Sequence, residues 1–117
     1  MILKFRAWDR ETKTMNGMAE IYRNRNQEIE LHPRDENIIL MQSTGLKDKN
    51  GQEIFEGDIT ASENHPIKGV VEFRTDLGMW VNCLKGYDYY EYLGNVASGI
   101  EIISNIHENP ELLEVIR

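Results

Sequence analysis

Leu46-Lys47-Asp48-Lys49-Asn50-Gly51-Gln52-Glu53-Ile54-Phe55-Glu56-Gly57-Asp58-Ile59 is the stretch that decides the fold class. Asn50-Gly51 is the two-residue pair whose backbone twist suits a β-hairpin, so a tight turn is predicted there. Gly57 tolerates a positive φ and Asp58 can accept hydrogen bonds from nearby backbone amides, which predicts a second turn leading into a strand at Ile59. Two turns this close, with apolar residues between and after them, point to short antiparallel strands rather than to helices.

The rest of the chain repeats that pattern. Leu3, Phe5 and Ala7 alternate with Lys4, Arg6 and Trp8, as a half-buried strand requires. Asp9 to Lys13 is too polar for a core and reads as a hairpin loop, and Met15 to Tyr22 returns as a second strand interrupted by Gly17. Asn24 to Gln27 reads as a turn, Glu28 to His32 as an alternating strand ended by Pro33 and Asp35, and Asn37 to Gln42 as a more continuous apolar strand. Downstream, Lys68 to Arg74 and Met79 to Leu84 are two strands joined by Thr75-Asp76-Leu77-Gly78, which should pair antiparallel. Tyr87 to Leu93 and Ile100 to Ile106 suit two more. A helix is predicted only at the end, with Asn109 as N-cap, Pro110 at the first helical position, Glu111 in the first turn, and Leu112, Leu113 and Ile116 as anchors. Many short strands between turns predict a mainly β fold, an antiparallel roll or small barrel with a soft internal boundary near Gly45.

At 117 residues the chain has room for one domain, and its 40% hydrophobic and 28% charged residues are ordinary for a globular protein. No run approaches the roughly 20 apolar residues that span a bilayer, so no membrane association is expected. The N-terminal residues lack the apolar core of a signal peptide, and the single cysteine fits a reducing compartment, so a cytoplasmic location is expected. The formal net charge is −7, unfavourable for wrapping a phosphate backbone. The balance is uneven, because residues 1–25 hold six basic and three acidic side chains against seven and seventeen in the remainder. Such asymmetry could steer a head-to-tail contact between copies of the chain.

Motifs of known chemistry fail at their chemical positions. If Gly51 took the sixth place of a calcium loop, Leu46 and Gly57 would stand where carboxylates must be. Gly94 to Gly99 has the glycine spacing of a phosphate loop, but Ile100 and Glu101 occupy the Lys and Ser/Thr positions. His32, His65 and His107 are far apart with no nearby cysteine, so no zinc spacing emerges. Cys83 lies inside an apolar run and reads as a small buried side chain rather than a nucleophile. Pairs such as Glu56 and Asp58 are explained by turns, and an acid–base role for carboxylates with His107 would need a geometry that sequence does not carry. No catalytic residue, cofactor or metal is therefore expected.

Phe5-Arg6-Ala7-Trp8-Asp9, the run from Met41-Gln42-Ser43-Thr44-Gly45 through Ile59, Gly69-Val70-Val71-Glu72-Phe73 and Ile106-His107-Glu108-Asn109-Pro110-Glu111-Leu112-Leu113 together closely resemble the YopX family of bacteriophage and prophage proteins. The resemblance covers nearly the whole chain and is weakest over 61–68 and 85–99. It implies a single YopX-like domain over 1–117, with an N-terminal β segment over about 1–44 and an SH3-type barrel over about 45–117. It also implies a phage-encoded accessory protein, and it brings no catalytic or ligand-binding residue with it.

Two surfaces stand out as candidates for interaction. One is basic with an aromatic, formed by Lys4, Arg6, Trp8 and Arg10. The other is the cluster of Tyr87, Tyr89, Tyr90 and Tyr92, four of the five tyrosines. Tyrosine is an amphipathic side chain suited to protein interfaces. The leading expectation is thus a non-catalytic protein that works by protein–protein contact, as a homo-oligomer or with a host or phage partner. The alternative is a nucleic-acid-binding small β-barrel in which Lys4, Arg6, Arg10, Lys13, Arg23 and Arg25 meet phosphates while Trp8 stacks on a base. A third reading, an acidic decoy that imitates DNA, is weakened by the interspersed lysines.

Overall fold

The computed structural model describes the backbone of residues 3–21 and 37–114, and the side chains of 4–15 and 37–114. The turn and strand expected between Asn24 and His32, Pro33 and Asp35, the cations Arg23 and Arg25, and Ile116 lie outside the described residues. Nine antiparallel strands, one short helix and two 3-10 turns make a mainly β chain among them. It divides into two compact units, Met1–Ser43 and Thr44–Arg117.

In the first unit β1 (Leu3–Asp9) pairs with β2 (Thr14–Ile21) on one side and with the first half of β3 (Ile38–Lys47) on the other. The hairpin between β1 and β2 closes as expected from its polar run: Asp9 Oδ1 accepts from the N–H groups of Glu11 at 2.9 Å and Thr12 at 3.2 Å. A bulge between Arg6 and Ala7 shifts the register there. Trp8, on the face assigned to Lys4 and Arg6 by alternation, is buried. A bulky indole has more to gain from leaving water than the short side chain of Ala7 opposite it in the alternation.

In the second unit β3 continues to Lys47 beside β4 (Glu53–Phe55), and a five-stranded sheet follows in the order β8-β7-β6-β5-β9. Its members are β5 (Asp58–Ser62), β6 (Gly69–Arg74), β7 (Met79–Leu84), β8 (Tyr90–Tyr92) and β9 (Ile100–Asn105). The sheet curls into a half-barrel with β8 and β9 at its two ends. Ile54, Val71, Leu93, Ala97 and Ile100 form its buried core, with Leu46, Trp80, Val96 and Ile102 packed against them. Apolar residues that recur every second position on strands meet Leu93 of the short helix and, four residues on, Ala97 of the 3-10 turn that follows it.

The Asp48 turn is the knot of this unit. Asp48 Oδ1 accepts from the N–H groups of Asn50 and Gln52, each at 2.9 Å, and Oδ2 from that of Ile102 on β9 at 3.0 Å. Lys49 N–H also donates to the Ile100 carbonyl at 2.9 Å, so the turn is tied to β9 twice. Burial by itself raises the Asp48 carboxyl, but the N–H donors of Ile102, Gln52 and Asn50, with Lys49 beside it, outweigh that and hold it below its ordinary value. Gly51 and Gly57 adopt φ of 81° and 85°, as the two turns require, and fully buried Asp58 accepts from the Phe55 N–H at 2.8 Å.

Two segments differ from expectation. The strand expected over Tyr87 to Leu93 is confined to β8, because Leu93 turns inward to the core and opens a helix over Leu93–Val96 that runs on as a 3-10 turn over Ala97–Gly99. The C-terminal helix is a single 3-10 turn, Pro110–Leu113. Asn109 does not cap it in the expected way: its Nδ2 donates to Glu111 Oε1 at 2.9 Å, and its Oδ1 accepts from the Ser104 hydroxyl.

Candidate functional site

The eight candidate residues divide evenly between the two units. Lys4, Arg6, Trp8 and Arg10 belong to the first. Trp8 is only 5% exposed, which leaves no open ring face for a base to stack on. Arg6 is half-buried, with its guanidinium donating to Met41 Sδ at 3.6 Å, and Arg10 is exposed with its backbone N–H on the Asn37 carbonyl at 2.9 Å. Lys4 is half-buried.

The four tyrosines belong to the second unit. Tyr87 and Tyr89, in the loop between β7 and β8, are each 62% exposed, and Tyr92 is 42% exposed. Tyr90 is half-buried. The pairing of Cys83 with Tyr90 and of Val81 with Tyr92 puts these two tyrosines on the face that Met79, Val81 and Cys83 share. On that face the Arg74 guanidinium lies 5.0 Å from the Tyr90 ring centre, and the Tyr90 and Tyr92 rings meet edge to face at 5.9 Å. Arg74 is itself held by Asp76, through hydrogen bonds of 2.9 and 2.8 Å. Cys83 donates to Glu72 Oε1 at 2.8 Å; burial first, and then that carboxylate, push its thiol up to about 12. A thiol so placed is a poor nucleophile at neutral pH.

The other face of β8 carries Glu91, which pairs with Asn82. Asn82 Nδ2 donates to Glu91 Oε1 at 3.3 Å, while its Oδ1 accepts from the Thr60 hydroxyl at 2.7 Å. Thr60 pairs with Gly69 and Asn82 with Val71, so the Thr60–Asn82 bond passes over Gly69. A Cβ at that glycine would fall on the Asn82 carboxamide. The relay runs from β5 across β6 and β7 to β8, with Thr60 and Asn82 both buried. It ends at a cleft of about 220 Å³ where His65 Nε2 lies 3.8 Å from Glu91 Oε1. In the sequence His65 is one of three scattered histidines, and Glu91 lies within the tyrosine cluster without a role assigned to it. The visible signal was Asn82, a carboxamide inside an apolar strand.

The sequence model of the family described as YopX protein matches residues 4–114. The chain belongs to the YopX family. Protein EF1440 from Enterococcus faecalis is similar to this YopX-family chain at 33% identity, over 96% of this chain and 98% of that one, with a TM-score of 0.63. Protein yopX from Bacillus subtilis is similar at 19% identity, over 97% and 98% of the two chains, with a TM-score of 0.54, a likeness that speaks for the fold alone. No curated protein matches. The resemblance carried by Met41 to Ile59 is thereby borne out, and those residues are the ones that build the Asp48 and Gly57 turns.

Proposed function

We propose that the protein is a non-catalytic accessory protein of phage or prophage origin that acts in the bacterial cytoplasm by protein–protein contact, with a second copy of itself as the first partner. One observation carries this reading. Of the six large apolar side chains exposed among the described residues, four (Met79, Tyr87, Tyr89 and Tyr92) lie on β7, β8 and the loop between them. Tyr, Met and Arg are the side chains enriched at interface cores, and the Arg74–Tyr90 stack fixes two of them before any partner arrives. The raised Cys83 thiol supports a non-catalytic role for this face. Light scattering over a concentration series tests the reading: the wild-type chain should exceed the mass of one copy, and the Tyr87→Ser/Tyr89→Ser/Tyr92→Ser variant should return to it. A wild-type chain that stays single at every concentration would remove the self-association.

A further inference from the structure

We infer that the cleft at His65 and Glu91 is a binding site for a small, uncharged, hydroxyl-rich molecule of about the size of one sugar ring. It lies on the face of β8 opposite Tyr90 and Tyr92, so it is independent of the proposed contact surface.

The lining sets the chemistry. Ser62, Asn64, Asn95 and Ser98 contribute hydroxyls and carboxamides, groups that both donate and accept, and among the described lining residues Glu91 is the one carboxylate. Neighbouring hydroxyls on a ring also donate and accept, and they match such a lining pair by pair. Val96 and Ile100 supply an aliphatic wall for the C–H face of the ring. Among the described residues no lysine or arginine lines the cleft, so from them an anion would meet a carboxylate with no cation to offset it. A divalent cation is no better served, since the described residues hold no group of three or more His, Cys, Asp or Glu that could ligate it. At about 220 Å³ the cleft has the room of roughly seven waters, enough for one ring and little more.

The supporting residues argue that the site is built. Burying Asn82 and Thr60 in a β-sheet is costlier than burying two aliphatic side chains of similar size unless the polar atoms are fully used. They are used in series: Thr60 fixes the Asn82 carbonyl oxygen, which turns the Asn82 amide toward Glu91 and fixes the carboxylate at the cleft. Gly69 is the residue that leaves space for this arrangement. An acceptor held in place in this way loses little freedom when it binds. His65 itself is placed beside Glu91 by its Nε2, and its Nδ1 is buried without a hydrogen-bond partner among the described residues.

The test is a two-dimensional NMR titration of the full ¹⁵N-labelled chain with D-glucose, D-ribose and N-acetyl-D-glucosamine, with inorganic phosphate and calcium chloride run in parallel. The expected result is saturable shifts for at least one sugar at the amides of Asn64, Asn95 and Ser98 and at the side-chain NH₂ of Asn82. Ser98→Ala and Asn95→Ala change exposed residues and should keep the dispersed spectrum of the folded chain, yet weaken binding severalfold. Glu91→Gln should weaken it at least tenfold. Absence of saturable shifts with all three sugars overturns the inference, as does binding that survives all three substitutions. Saturation by phosphate or calcium at the same amides, without sugar binding, overturns the assigned ligand class.

Discussion

The Asp48 turn and the β7–β8 hairpin both display polar side chains in sequence, and they put them to opposite uses. At the turn, the two oxygens of one carboxylate are taken by three backbone N–H groups, and fully buried Asp58 closes the next turn in the same way. At the hairpin, two tyrosines stand 62% exposed, and Glu91 is held by another side chain rather than by the backbone. Polar atoms that close the main chain are structural necessities. Polar atoms oriented by other side chains toward solvent or a cleft are available for binding, and that separates the fold-bearing part of this YopX-family chain from the part where function can lie.

The sharpest way to break the comparison is to remove the carboxylate that serves the backbone. Asp48→Ala leaves three N–H groups in a part-buried setting without their acceptor, and each such loss costs up to about 1–3 kcal/mol. The expected loss in urea unfolding is about 3–5 kcal/mol, less than the full sum because neighbouring losses do not add. A loss under about 1 kcal/mol would mean that the turn is not the knot of the second unit. Next in size is Gly69→Ala, whose added methyl collides with Asn82 although the backbone there needs no positive φ. A cost of about 2–4 kcal/mol is expected from overpacking together with the broken Thr60–Asn82 bond. Combining it with Asn82→Ala should cost clearly less than the two changes added, because the second removes the atoms the first strikes. Strict additivity would show that Gly69 matters for some other reason.

How much could be read in advance follows the same division. Asn50-Gly51, Gly57-Asp58 and Thr75 to Gly78 were legible because turn chemistry is local: an amide a few residues away or a positive φ decides it. Strand β1 was legible by alternation, and β6, β7 and β9 as strand-like or apolar runs between turns. Leu93 was misread because a leucine ends a strand or begins a helix equally well in sequence, and the choice was made by a core assembled with Ile54 and Val71, far away in the chain. The Thr60–Asn82–Glu91 relay was invisible for the same reason: its members are 22 and 9 residues apart and meet only once the register of β5 to β8 is set. The exposure of the tyrosines, by contrast, depends on the loop that carries Tyr87 and Tyr89.

A gentler change at Asp48 tests the electrostatic side of the comparison. In Asp48→Asn the side-chain oxygen can still accept from Asn50 and Gln52, but the amide NH₂ now faces the Ile102 N–H, donor against donor. A loss of about 1–3 kcal/mol at neutral pH is expected. Because folding holds the Asp48 carboxyl below its ordinary 3.8, its contribution is fully present above that value and is lost as pH falls through the lower, folded-state one. Stability measured from about pH 5 down to pH 2 should therefore fall more steeply in the wild-type chain than in Asp48→Asn, and the gap between them should narrow. A gap that stays constant across that range would mean the carboxylate's charge contributes nothing and only its shape matters.

The smallest expected effect completes the contrast. Tyr87→Ser and Tyr89→Ser remove two rings that are more than half exposed, in a loop closed by backbone bonds: Tyr87 N–H to the Leu84 carbonyl at 3.2 Å, and Leu84 N–H to the Tyr89 carbonyl at 3.0 Å. Neither bond involves a side-chain atom, so both survive the substitution, and the change in unfolding free energy should stay within about 0.5 kcal/mol. A ring this exposed contributes little to folding, and selection for stability alone gives no reason to prefer an aromatic over a serine there. Stability unchanged while self-association is lost would separate contact from folding on this strand. A loss of 2 kcal/mol or more from either single change would instead make the rings part of the fold, and the proposed contact surface would then shrink to Met79 and Tyr92.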